Sequence, residues 1–348
     1  MKVINFIQVT CTAVSGLFAA KIGAPLFSDR WRAPITEEIW SNNIPSSGLP
    51  LRSINQSEVK ALKDHGFVKL DQVLQHEWLQ KLKVAECTCN WRTHFDGLKH
   101  VRFLPIPVMK FLDKVEHKSS YYLSARCKDM REILWFSPIV NIAQQVSGAK
   151  TLNFAGDVSF RRSPGSIRKS FQTGANWHTD FEFMDINAVS DNDPVLIVWI
   201  PMHRIKHSEG ASALEFIPSS HKFFIHDRKK KSRTDLIVKK HRNKAVILND
   251  FEVGDILVFY STTVHRSTQQ DSTVERFAMS YRFATEDARY KSGGATNLVS
   301  GLQHGDYLGG LVFPKMFPNM NRTDWPHARV PITAFLQSIF KFAKDKQE

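Results

Sequence analysis

The distribution of apolar residues along the 348-residue chain changes period near residue 150. Upstream it is helical. Glu58-Val59-Lys60-Ala61-Leu62-Lys63 follows Ser57, a residue type that caps helix starts, and Gly66 stops the pattern. Phe67-Val68-Lys69-Leu70 then alternates as a short strand. A second helix is predicted from His76 to Ala85, with Trp78, Leu79, Leu82 and Val84 on its apolar side. A third is predicted from Met130 to Val146, ended by Gly148. Residues 25–50 are rich in Pro and Ser and read as an extended arm.

Downstream, short β-like runs follow one another between turn residues: Leu152–Phe154, Val158–Arg161, Pro194–Pro201, Ala213–Ile217, Ala245–Leu248, Asp255–Tyr260 and Phe277–Phe283. Such a series suggests a sandwich or barrel. The expected fold class is α+β, helices first and then a mainly β core that carries the chemistry. The expected organisation is an N-terminal arm over residues 1–50 and one domain over 51–348, with its core at about 150–285 and a C-terminal extension. No internal repeat is found.

Composition narrows the choice of partners. Hydrophobic residues make up 42%, enough for a sizeable core, and 25 Phe suit a packed β core with an apolar pocket. The net charge of +13 favours an anionic partner: nucleic acid, an acidic membrane surface, a CoA ester or a small polycarboxylate. The strongest charge run, within residues 222–243, reads as a solvated loop, or else as a rim that attracts an acidic substrate. Nucleic-acid binding would want interleaved aromatics or a known module, and this run has neither. Cys11, Cys87, Cys89 and Cys127 read as ordinary thiols, because one intervening residue between Cys87 and Cys89 is poor spacing for a zinc pair. Residues 1–24 are mildly apolar but interrupted by Asn5, Gln8, Thr10 and Thr12, so no stable membrane insertion is expected. They read either as a weak targeting segment or as a partly buried helix, with a cytoplasmic or organellar location expected.

The chemistry centres on Asn176-Trp177-His178-Thr179-Asp180. Side chains two apart on an extended segment share a side, so His178 and Asp180 can present an imidazole and a carboxylate to one metal. Alone, this spacing is common. The second part is Gly254-Asp255-Ile256-Leu257-Val258-Phe259-Tyr260, a turn feeding a buried strand, with His265 beyond it. Arg276 follows eleven residues later, opening the strand Phe277-Ala278-Met279-Ser280-Tyr281. Arg276, Ala278 and Ser280 share one face, small and polar with a fixed cation, as expected of a lumen wall that receives a carboxylate. Two His and one carboxylate leave open metal positions, which suits non-haem Fe(II). His203 and His207 read as surface residues, His221 as structural, and Asp185, Asp191 and Asp193 as loop acids. Phe181 and Phe183 read equally as pocket walls or core.

These stretches resemble the phytanoyl-CoA dioxygenase family of Fe(II)- and 2-oxoglutarate-dependent oxygenases. The resemblance is carried by Trp177–Asp180, by Gly210-Ala211-Ser212-Ala213-Leu214-Glu215-Phe216-Ile217-Pro218-Ser219-Ser220-His221-Lys222, by Gly254 through His265-Arg266-Ser267 to Arg276, and by Asp64–Leu70. It implies a double-stranded β-helix, or jelly roll, with flanking helices. It also implies His178, Asp180 and His265 as the metal ligands, Arg276 on the distal carboxylate of 2-oxoglutarate, Ser267 assisting it, and Trp199 lining the co-substrate site. The other contact, to the 1-carboxylate, stays open, Arg126 and Lys128 being loose candidates. Ser219 stands where the family often has Gly, and the insert Asp185–Asp193 is individual.

The implied activity uses Fe(II), O2 and 2-oxoglutarate, with ascorbate as reductant in vitro, and yields succinate and CO2. It is hydroxylation, desaturation or oxidative cyclisation of a small anionic substrate by a monomeric enzyme. An acyl-CoA 2-hydroxylase and a non-catalytic jelly-roll binding protein are the alternatives. Asp180 argues against halogenation, since related halogenases replace this carboxylate with a small residue.

Overall fold

The computed structural model describes residues 48–89, 120–162 without 122, 127 and 150, 176–187 without 185, 195–223, 232–270, 274–290 without 286 and 287, and residues 308, 315 and 316. The helices are α1 (Gln56–His65), α2 (His76–Cys89), α3 (Leu123–Arg126), α4 (Lys128–Phe136), α5 (Ile139–Ser147) and α6 (Ser232–His241). The strands are β1 (Phe67–Leu70), β2 (Ser120–Tyr121), β3 (Leu152–Arg162), β4 (Ile186–Asn187), β5 (Leu196–Pro201), β6 (Ile205–Lys206), β7 (Leu214–Phe216), β8 (Val246–Leu248), β9 (Asp250–Phe251), β10 (Ile256–Tyr260), β11 (His265–Ser267), β12 (Arg276–Ala284), β13 (Arg289–Tyr290) and β14 (Lys315–Met316).

Seven of the fourteen described strands join one antiparallel sheet in the order β1-β10-β5-β12-β3-β14, with β2 also on β3. A smaller sheet, β11-β7-β8, faces it. The pleat divides the large sheet's side chains cleanly. Val68, Leu70, Val198, Ile200, Val258, Met279, Tyr281 and Phe283 turn to the helices and pack with Leu62, Leu79, Leu82, Ile142 and Val146. Ile197, Trp199, Leu257, Phe259 and Ala278 turn the other way, to Leu214 and Phe216 of the small sheet. That second, inter-sheet space is the lumen of a jelly roll. The fold is thus mixed helix and sheet around an antiparallel double-sheet core, as expected.

Local departures have local causes. The cap of α1 is Asn55 rather than Ser57. The Asn55 side chain accepts from Glu58 N at 2.8 Å, and Glu58 returns the bond to Asn55 N at 2.8 Å, a capping box. The predicted helix Met130–Val146 is two helices, α4 and α5, because Pro138 cannot continue α4; it opens α5 instead, its carbonyl accepting from Ile142 N at 2.8 Å. The two expected strands around Gly156 are one strand, β3. Gly156 has φ +125° and sits at a bulge, where the register with β12 shifts between Arg282 and Phe283. The basic run is not all loop: α6 seats the buried Ile237 on Ile217 and Val264, beside Trp177, while Lys239 and Lys240 face solvent. Cys89, buried at the end of α2, is disulfide-bonded, whereas the exposed Cys87 keeps its thiol. The thiol expectation therefore fails for Cys89, since spacing along the chain does not reveal a partner brought close by folding. Cys11, Cys127 and the arm over 1–47, including the targeting segment, lie outside the described residues. Among the described residues no helix is long and apolar enough to cross a membrane.

The Gly254-Asp255 turn fastens β1 to β10. Asp255 is buried and accepts from Gln72 N (3.1 Å), Gln72 Nε2 (2.9 Å) and Glu252 N (2.9 Å), and pairs with Lys69 Nζ at 2.9 Å. Burial pushes its carboxyl up, but the bonds from Lys69, Glu252 and Gln72 outweigh that and hold it below the ordinary value of 3.8. A carboxyl depressed in the folded state stabilises above its unfolded value, and that contribution is lost as pH falls through the folded value. Asp255→Asn should therefore lower stability at pH 7 by about 1–3 kcal/mol and remove part of the wild type's acid sensitivity below pH 4. Urea titrations at pH 7 and pH 3 check both.

Candidate active site

Two segments meet at the end of the lumen. His178 N donates to His265 O at 3.0 Å and His265 N to His178 O at 2.9 Å, an isolated antiparallel bridge. Opposed residues on such a bridge project together, and the two imidazole centroids lie 4.5 Å apart. Thr179 is extended (φ −117°, ψ 140°), which returns Asp180 to the side of His178. Asp180 then opens a 3₁₀ turn to Phe183, fastened by Phe181 N donating to Ser261 O at 3.0 Å.

The donor atoms converge. Asp180 Oδ1 is 3.7 Å from His178 Nε2 and 3.7 Å from His265 Nε2. One ligand atom from each of the three residues lies within 4.8 Å of the others, and no other group of three His, Cys, Asp or Glu among the described residues does this. His178 Nδ1 lies 2.8 Å from Asn176 O, and His265 Nδ1 3.0 Å from Thr263 O. A carbonyl only accepts, so each Nδ1 carries the proton and each Nε2 keeps a lone pair for a metal. His265 is buried between the rings of Phe216 and Phe259. That burial, with His178 close by, pushes its pKa down to about 4, so it is neutral at pH 7. Burial also pushes the Asp180 carboxyl up, but Arg282, His265 and His178 together hold it below its ordinary value. Two imidazoles and one carboxylate suit a divalent ion and would leave part of its coordination sphere open.

The loop before His265 is held from several sides. Tyr260 N and Thr263 Oγ1 both donate to Gly66 O, at 2.9 Å each. Val264 N donates to Ser220 Oγ at 2.8 Å. Gly66 is left-handed (φ +86°), and a β-carbon there would run into the His221 ring and the Thr263 hydroxyl. His221 is structural as expected, packed 5.1 Å from Tyr260 with Nε2 donating to Lys63 O at 3.1 Å. Ser219 takes φ +62°, the conformation for which Gly is suited, and its hydroxyl donates to Asp64 O at 2.7 Å.

Arg276 and Trp199 lie on the inter-sheet face of the large sheet. Arg276 is buried at the start of β12, its guanidinium 5.4 Å over the Trp199 ring. Trp199 thus packs in the inter-sheet core and meets Arg276 there. His203 pins this end of β12: its Nε2 accepts from Phe277 N at 3.1 Å, and its Nδ1 donates to Arg204 O at 2.7 Å. His203 and His207 form no metal pair; His207 Nδ1 donates to Ala211 O at 3.0 Å. Ser267 lies on β11 two residues past His265, on the same side of the strand and opposite Leu214. The side chains of Arg126, Lys128 and Phe183, and residues Asp185, Asp191 and Asp193, lie outside the described residues. Phe181 is core.

The sequence reading missed Arg282. Its Nη2 lies 3.6 Å from Asp180 Oδ2. The signal lies in the sequence: alternation along β12 puts Arg276, Ala278, Ser280 and Arg282 on one face.

A jelly roll with this donor set defines a non-haem iron- and 2-oxoglutarate-dependent dioxygenase. The model of the phytanoyl-CoA dioxygenase (PhyH) family matches residues 110–278, and the chain carries a domain of that family. Among solved structures it is similar to the non-haem α-ketoglutarate-dependent carbocyclase SnoK from nogalamycin biosynthesis, with a TM-score of 0.59 and 18% identity over 79% of this chain and 100% of that one. The epimerase SnoN of the same biosynthesis gives 0.57 and 17% over 77% and 97%. EctD from S. alaskensis, with 2-oxoglutarate and 5-hydroxyectoine, gives 0.50 and 13% over 76% and 83%. No curated protein matches in sequence. If the triad is the metal site, His178→Ala and His265→Ala should each weaken Co(II) binding by at least about 100-fold, while losing little thermal stability. Calorimetric titration checks this; wild-type affinity in both variants would remove the assignment.

Proposed function

We propose that the protein oxidises an unactivated C–H bond of a small anionic organic substrate, with His178, Asp180 and His265 holding Fe(II). The observation that carries this reading is the convergence of His178 Nε2, His265 Nε2 and Asp180 Oδ1. When bound, the iron with O2 and 2-oxoglutarate supplies the oxidising power, giving succinate and CO2 as co-products.

The chain's own residues do the rest. Arg276, backed by Trp199, holds the distal carboxylate of 2-oxoglutarate, a bidentate partner suited to a planar fork. Ser267 assists from β11. Ala278 and Ser280 keep the wall between Arg276 and the metal low enough for the extended co-substrate. Phe216 and Phe259 exclude water behind His265. The whole of 51–348 serves as one oxygenase domain, acting as a monomer.

Charge supports an anionic substrate: +13 overall, with basic helix α6 packed beside Trp177, the neighbour of His178. The named outcomes of similar folds, carbocyclisation and epimerisation, support a reaction decided by how substrate sits rather than by the metal ligands. Hydroxylation, desaturation and oxidative cyclisation all fit. With Fe(II), ascorbate and 2-oxoglutarate, the protein should release succinate, and a panel of carboxylated substrates should include one that stimulates release and changes mass by one oxygen or two hydrogens. Arg276→Ala should raise the KM for 2-oxoglutarate about 100-fold. Equal succinate release by wild type and His178→Ala across the panel would contradict the proposal.

A further inference from the structure

Three observations converge on Arg282, which lies just past residue 278, where the family match ends. First, the two oxygens of Asp180 are divided. Oδ1 faces both histidines, at 3.7 Å each, and Oδ2 faces Arg282 Nη2 at 3.6 Å. Second, Arg282 is buried, at 6% exposure, on the lumen face of β12. Third, it stands opposite the bulge of β3, paired with Gly156, where the register shifts. A bulge increases local twist and re-aims the side chains beside it. Gly156, at φ +125°, takes a conformation that side chains rarely allow.

We propose that Arg282 is the positioning residue of this centre and couples metal binding to co-substrate binding. The inference rests on the metal assignment above. By holding Oδ2, Arg282 would leave Oδ1 alone for a metal and keep Asp180 from binding it through both oxygens. Its charge has a second consequence. The charges of Asp180 and Arg282 cancel, so a divalent ion would leave the pocket at +2. Without Arg282 the same pocket would stand at +1. The guanidinium thus opposes the bare ion and favours the ion together with an anionic keto acid. Metal and co-substrate should tighten one another more than chelation alone would give.

The test uses Co(II) as the probe metal and N-oxalylglycine as an unreactive dianionic mimic, with no turnover. Arg282→Gln and Arg282→Lys are compared with wild type, after circular dichroism shows each folded. Wild type should bind the mimic at the Co(II)-loaded site. Arg282→Gln should bind it about 10- to 100-fold more weakly, while its affinity for Co(II) alone is unchanged or higher. Arg282→Lys, which keeps charge but not the fork, should retain most of the mimic affinity yet shift the visible Co(II) spectrum as Asp180 coordination changes. A purely structural arginine predicts instead a loss of stability, with mimic binding and spectrum unchanged in the folded fraction. Unchanged mimic affinity and spectrum in both variants overturn the proposal. A wild type that binds neither Co(II) nor the mimic removes the metal reading beneath it, which is a different result. If Arg282→Gln does not fold, Arg282→Lys alone decides, through its spectrum.

Discussion

The site depends on one small interaction, the pair of backbone hydrogen bonds between His178 and His265. It joins the segment around His178 to β11 of the small sheet. Because opposed residues on an antiparallel bridge project together, that pair alone brings two imidazoles from positions far apart in sequence to 4.5 Å. Asp180 follows at the next same-side position, and its turn is tied to Ser261, which in turn donates to Val195 O at 2.7 Å beside β5 of the large sheet. The metal end of the lumen is therefore where both sheets are fastened together.

The large sheet works on both faces. Its helix-facing side chains make the main apolar core, and burial of this kind is the dominant stabilising term. Its other face can then carry costly residues, the buried Arg276 beside Trp199 and the buried Arg282 beside Asp180. The helix layer also reaches the chemistry. The end of α1, at Gly66, supplies the carbonyl that holds Tyr260 and Thr263, and the Ser219-Ser220 turn holds Val264. The motif around Ser220 and His221 thus supports His265 from behind.

Much of this was legible in the sequence because it rests on period and order. The change from helical to β texture, the strands Phe67–Leu70 and Asp255–Tyr260, the same-side spacing of His178 and Asp180, and Arg276 opening β12 follow from local pattern. What escaped was set by non-local or special geometry. Pro138 splits a helix whose apolar period continues across it. Gly156 hides a bulge inside one long strand. The disulfide of Cys89 and the pairing of Arg282 with Asp180 depend on segments that only tertiary structure brings together. The basic run hid a helix because its anchor on the core is narrow, with Ile237 the buried contact among charged neighbours.

The central claim is that His178, Asp180 and His265 form an iron site open to a keto acid. The most direct measurement is the visible absorption of the protein under strict anaerobiosis as Fe(II) and then 2-oxoglutarate are added. A keto acid chelated to protein-bound Fe(II) produces a charge-transfer band that neither component gives alone. The account predicts that this band appears at one equivalent of each in the wild type and is absent in Asp180→Ala. Its absence in the folded wild type, or its persistence at full strength in Asp180→Ala, would contradict the account.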